Sequence, residues 1–85
     1  MNRVEIYSTP WCPFCIAAKR LLERKGITYE ETDVSGNAEL RQDMMRRANG
    51  RHTVPQIFIG DTHVGGCDEL HALDHAGKLD PMLVA

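Results

Sequence analysis

The chain has 85 residues, 42% of them hydrophobic and 26% charged, with a formal net charge of −2; that length predicts one domain over residues 1–85. Five aromatic residues (Tyr7, Trp11, Phe14, Tyr29, Phe58) and no cationic excess supply neither a field for phosphate backbones nor a row of stacking platforms, which excludes nucleic acid as an expected partner. Glu5 interrupts any N-terminal apolar signal core and no apolar run nears the roughly 18 residues of a membrane span, so a cytoplasmic protein with no membrane partner is expected.

Taken in order, Val4 to Tyr7 reads as a short strand, followed by Cys12-Pro13-Phe14-Cys15 and a helical pattern running to Lys25. In that helix Ile16, Ala17, Leu21 and Leu22 form the apolar side, Lys19, Arg20, Glu23 and Arg24 the polar side, and Gly26 is the stop. Thr28 to Val34 alternates as a second strand. Ser35-Gly36-Asn37 turns into a helix whose apolar side is Leu40, Met44, Met45 and Ala48, ended by Asn49-Gly50. Gln56 to Ile59 is a third strand, joined through Gly60-Asp61 to a fourth at His63-Val64 as a hairpin. A helix from about Asp68 to Ala76 follows, and Asp80-Pro81 has the N-cap and first-turn chemistry of a last short one. The order β-α-β-α-β-β-α predicts an α/β domain, a four-stranded mixed sheet flanked by helices.

Three cysteines, one close pair and one odd, do not form the even framework of a secreted disulfide scaffold. A free cysteine titrates near 8.5, and a helix N-terminus favours its thiolate, so Cys12 is expected to be the nucleophile. Cys15, one turn deeper, can donate to the Cys12 sulfur and later attack a mixed disulfide formed there, as a resolving thiol. Pro13 restricts Cys12 to extended angles and holds its sulfur at the helix mouth, between the apolar side chains of Trp11 and Phe14. Alone, such a pair leaves two lesser alternatives, a chance placement at a helix start or half a zinc site.

Thr53-Val54-Pro55 stands at the entrance to the third strand. Pro55 cannot donate to a ladder and forces Val54 extended, leaving the Val54 N–H and C=O for an incoming extended peptide such as a tripeptide; alone it is an ordinary strand-start proline. Gly65-Gly66-Cys67-Asp68 offers close backbone approach, helix N–H groups for a carboxylate and Asp68 for an ammonium, the two groups of a free α-amino acid end; its bland alternative is a glycine turn with a cap. Cys67 reads as a small packing residue, His71 and His75 as structural despite their i, i+4 spacing, and no metal site is expected.

Together these three elements, with Val4-Glu5-Ile6-Tyr7 and Leu79-Asp80-Pro81, resemble the glutaredoxins over nearly the whole chain, and within them the short bacterial dithiol type. The resemblance implies a thioredoxin-like fold, a cis Pro55 facing the cysteine pair, and glutathione-dependent thiol–disulfide oxidoreductase activity. That activity would reduce protein–glutathione mixed disulfides and protein disulfides through Cys12 and Cys15. It further implies glutathione as co-substrate with no tightly bound cofactor, and glutathione-contacting residues Phe14, Gln42, Thr53, Val54, Pro55, Gly66, Cys67 and Asp68. Implied partners are disulfide-bearing or glutathionylated proteins, with ribonucleotide reductase a candidate client; a monomer is expected. Two positions depart from the common pattern: Thr9 stands where many members carry lysine, and Phe14 where many carry tyrosine. The basic cluster Arg46, Arg47, Arg51 and His52 is a candidate replacement for the missing lysine in steering an anionic peptide. An iron–sulfur carrier, disfavoured by the stiffening Pro13, and a thioredoxin-type dithiol donor independent of glutathione are the competing readings.

Overall fold

The computed structural model describes residues 2–84. Its elements are β1 (Val4–Ser8), α1 (Pro13–Arg24), β2 (Glu30–Asp33), α2 (Ala38–Arg47), β3 (Gln56–Ile59), β4 (Thr62–Gly65), α3 (Cys67–His75) and α4 (Leu79–Leu83). They build the expected four-stranded mixed sheet, in the order β2-β1-β3-β4. The β1–β2 pair is parallel, while β1–β3 and β3–β4 are antiparallel.

The alternation of β1 explains the layering. Val4, Ile6 and Ser8 are buried, and Val4 and Ile6 join Ile57 and Ile59 of β3 against Ala18, Leu21 and Leu22 of α1, Leu70 of α3, and Leu79 and Leu83 of α4. Glu5 and Tyr7 point the other way, toward α2, where Arg47 bonds both and lies over the Phe58 ring. With helices on both faces, all four residues of β3 are buried.

Local chemistry sets the boundaries. Cys12 is the N-cap of α1 at φ −95°, ψ 112°, and Pro13 fills the first helical position, where a missing N–H costs nothing. At the other end Gly26 takes φ +70°, Gly26 N–H donates to Glu23 O and Ile27 N–H to Leu22 O, so the last carbonyls of α1 are satisfied. This turn shortens the second strand relative to the expected Thr28–Val34. Ile27 is drawn into the core, residues 28–29 carry the chain out to the sheet, and pairing begins only at Glu30. Val34 lies past the strand end with its side chain buried and its N–H on Ser8 O.

The expected apolar side of α1 is rotated. Cys15 and Ala18 face the core with Leu21 and Leu22, while Ile16 is 39% exposed. The last helix also differs: it begins at Leu79 with Lys78 as an N-cap that makes no side-chain bond, and Asp80 is inside its first turn. The Asp80 carboxylate goes instead to Lys25 Nζ at 3.1 Å, which also reaches Asp74 at 2.7 Å and ties the end of α1 to α3 and α4. Met44 is fully buried and Met45 half-buried, the core and rim positions expected of α2. Among the described residues no helix is long and apolar enough to cross a membrane.

Candidate active site

The β1–α1 junction delivers the cysteine pair. Cys12 Sγ, half-exposed at the mouth of α1, accepts the Cys15 backbone N–H at 3.2 Å, and its thiol donates to Val54 O at 3.6 Å. An N–H aimed at the sulfur and the positive end of a 12-residue helix both stabilise negative charge there. Cys15 is fully buried. Burial, followed by its bond to Cys12, pushes its thiol up to about 12, against the smaller opposing effects of the Thr9 backbone and the Lys19 charge.

Opposite the pair, the Val54–Pro55 peptide bond is cis, as the resemblance implies. Val54 is half-buried and Thr53 exposed; among the described residues Val54 N–H has no hydrogen-bond partner. The third segment is set by two glycines. Gly65 has φ +118°, and a Cβ there would lie 2.5 Å from Glu69 Oε1 and 3.0 Å from Arg51 Nη1. At Gly66, a Cβ would come into van der Waals contact with Pro55 O at 3.4 Å, so this backbone lies directly against the Pro55 segment.

Glu69 closes this corner. Its Oε1 accepts Gly66 N–H at 2.6 Å and Arg51 Nη1 at 3.0 Å, and these bonds, Gly66 first, hold its carboxyl below the ordinary range. Neither residue was singled out individually from the sequence as lining the site. The signal for Glu69 was its position three residues after a helix-capping glycine, the spacing at which a carboxylate reaches back to the N-cap N–H.

A cavity of about 280 Å³ joins these segments. Phe14, Thr53, Val54, Pro55, Gly66, Cys67 and Asp68 all line it, with Arg51 and Glu69. Gln42 does not; it is exposed on α2. The basic cluster disperses in three dimensions: Arg46 pairs with Asp43, Arg47 with Glu5, and His52 is exposed with its carbonyl bound by Arg41. Only Arg51 reaches the cavity.

Cys67 serves two surroundings, joining the hydrophobic core and lining the cavity, with its thiol raised by burial. Its Sγ is 3.4 Å from His71 Nδ1, and that nitrogen is 2.9 Å from Cys67 O, so His71 is folded back on its own helix while His75 stays exposed. Trp11 and Phe14 are 88% and 61% exposed beside Cys12, an apolar collar that Ile16 extends.

Comparison with known proteins adds the lineage. The family model described as Glutaredoxin matches residues 4–64. A glutaredoxin of Pseudomonas aeruginosa is 59% identical over 85 residues, covering 100% of both chains. Glutaredoxin 3 of Escherichia coli K12 is 53% identical over 83 residues, 98% of this chain and 99% of that one. Among solved structures, a buckwheat glutaredoxin–glutathione complex superposes with a TM-score of 0.86 at 30% identity, covering 96% of this chain and 76% of that one.

Proposed function

Because this chain belongs to the glutaredoxin family and carries its thioredoxin-like fold, we propose that it reduces protein–glutathione mixed disulfides and protein disulfides at the expense of glutathione. The observation that carries this reading is the position of Cys12 Sγ, at once the N-cap acceptor of α1 and the neighbour of Val54 O on the rim of the cavity. The related buckwheat protein, solved as a complex with glutathione, supports the choice of tripeptide.

In the first step the Cys12 thiolate attacks the glutathione sulfur of a mixed disulfide. The sulfur–sulfur bond breaks, the client leaves as a thiolate and takes a proton, and Cys12 becomes glutathionylated. The thiolate of a second glutathione attacks that glutathione sulfur, releasing glutathione disulfide and the Cys12 thiolate. With a protein disulfide, Cys12 instead bonds to a client sulfur, and Cys15 attacks Cys12 to close an intramolecular disulfide that two glutathiones reopen. Cys15 starts this step protonated, its value near 12. Once Cys12 is in a mixed disulfide, the hydrogen bond and charge through which it raised Cys15 are gone, which lowers the barrier to deprotonation.

The docking chemistry follows the cavity lining. Ionisation of Cys12 removes the thiol proton from Val54 O, so that carbonyl joins the unpartnered Val54 N–H in pairing with the cysteinyl unit as an added strand. The first N–H groups of α3, a nine-residue helix, take the γ-glutamyl α-carboxylate, Asp68 its ammonium, and Thr53, Pro55 and Phe14 the apolar stem. Besides the sulfur of Cys12, the reading requires one contact outside the cavity lining, a hydrogen bond donated by the Gln42 amide to the glycyl carboxylate.

The test is glutathione-coupled reduction of a glutathionylated peptide by wild type, C12S and C15S. C12S should be inactive and C15S should keep much of the activity, losing instead the reduction of intramolecular protein disulfides. Equal loss in both variants on the mixed disulfide would overturn the assigned roles.

A further inference from the structure

Gln56 is fully buried, yet its side chain is fully hydrogen-bonded. Its amide nitrogen donates to Thr53 O at 2.9 Å and to Thr53 Oγ1 at 3.3 Å, and its Oε1 is 2.6 Å from His63 Nε2. The chemistry permits one arrangement of hydrogens. A carbonyl oxygen only accepts, so the Gln56 nitrogen must face Thr53; Oε1 then faces His63, whose Nε2 must carry a proton and donate it. The His63 ring is held in place by stacking on Phe58 at 4.9 Å and 28°, and Phe58 in turn is flanked by the Arg47 guanidinium, 4.1 Å from its centroid.

What this relay grips is the peptide unit just before the cis proline. Among the described residues only Val54–Pro55 is cis, so the Thr53–Val54 unit is trans and its C=O and N–H point in opposite directions. Fixing the Thr53 carbonyl on Gln56 therefore turns the Val54 N–H away from the sheet interior, on a residue that lines the cavity. We propose that Gln56 and His63, neither of which lines that cavity, are positioning residues that aim the Val54 N–H at the backbone of a bound γ-glutamyl-cysteinyl peptide. The inference rests on Val54 being the docking strand for glutathione. His63 reaches the site only through Gln56, across the β3–β4 hairpin.

The experiment is steady-state kinetics on a glutathionylated peptide with wild type, H63F, Q56M and H63Q. H63F keeps a ring to stack on Phe58 but has no donor, Q56M keeps the volume without the amide, and H63Q restores a donor. KM for the glutathionylated peptide should rise about fivefold or more in H63F and Q56M, the size of one lost hydrogen bond, with kcat within about twofold. H63Q should return KM to within about twofold of wild type. Single-turnover reduction of a simple aliphatic disulfide lacking the peptide backbone should be unchanged in all three variants, which general loss of structure would not allow. If circular dichroism finds H63F unfolded, H63N, polar but too short to reach Gln56, is read in its place. An unaltered KM in Q56M and the donor-less His63 variant, with a wild type that saturates with the glutathionylated peptide, overturns the inference and leaves the glutathione reading standing. A wild type that handles glutathionylated and simple disulfides alike removes the docking reading itself.

Discussion

Replacing Gly65 by alanine puts a methyl carbon 2.5 Å from Glu69 Oε1 and 3.0 Å from Arg51 Nη1, on a backbone held at φ +118°. For an L-residue that backbone costs about 1–3 kcal/mol. The methyl also expels the Glu69 carboxylate from the Gly66 N–H, a charge-assisted bond of about 1–1.5 kcal/mol. The Arg51–Glu69 pair, with both side chains 45% exposed and screened, adds no more than about 0.5 kcal/mol. The sum is about 2–5 kcal/mol, or roughly 10 °C or more in Tm for a domain of this size. Because the Glu69 contacts can be lost only once, G65A and E69A should not add: the double variant should be about as stable as G65A alone, with a coupling of about 1–2 kcal/mol. Urea unfolding of wild type, both single variants and the double, fitted with a common m-value, measures this. Additivity within about 0.5 kcal/mol would mean that the carboxylate does not occupy the space beside Gly65, and the account of this corner would be wrong.

Two further outcomes follow from the same packing. L22A, at a fully buried position, should lose about 2–5 kcal/mol in urea unfolding, whereas I16A, at a position 39% exposed, should stay within about 0.5 kcal/mol; comparable losses would return Ile16 to the core. For pH, Glu69 is depressed below its ordinary 4.5 by the Gly66 N–H and then by Arg51. A lowered folded value contributes stability that is complete above the ordinary value and disappears as pH falls through the folded one. The stability gap between wild type and E69Q should therefore be constant near neutrality and close below about pH 4.5, and a gap that widened on acidification would reverse the sign of the argument.

The order of the elements and the cysteine pair were legible because they are written locally. Alternation in Val4 to Tyr7, the proline after Cys12 and the glycine after Lys25 each act within a turn of chain, and each element formed where it was expected. The misreadings involve distance. The rotation of α1 that exposes Ile16 and buries Cys15 depends on where α3 and α4 pack, which hydropathy alone does not encode. Asp80 has the chemistry of an N-cap, but its carboxylate goes to Lys25, fifty-five positions earlier. The four basic residues near Thr53 looked like one patch in sequence, but Asp43 on the same helix claims Arg46 and Glu5 of β1 claims Arg47, leaving Arg51 alone at the cavity. Glu69 and the Gln56–His63 relay were invisible for the converse reason: polar residues with ordinary neighbours, they gain meaning only once β4 and α3 bring them against the Gly66 and Thr53 backbone.

The contact between Cys12 Sγ and Val54 O spans 42 residues of chain. Closing a loop of that length costs an unfolded chain about 3 kcal/mol beyond a constant, and no local bond at either end repays it. A fragment ending before Thr53 would keep both thiols but lose the β3, α3 and α4 residues that α1 packs against, and a 12-residue helix is marginal alone in water. The tripeptide selectivity proposed for this chain is thus a property of the finished globule, appearing in the same cooperative event as the core and vanishing with it.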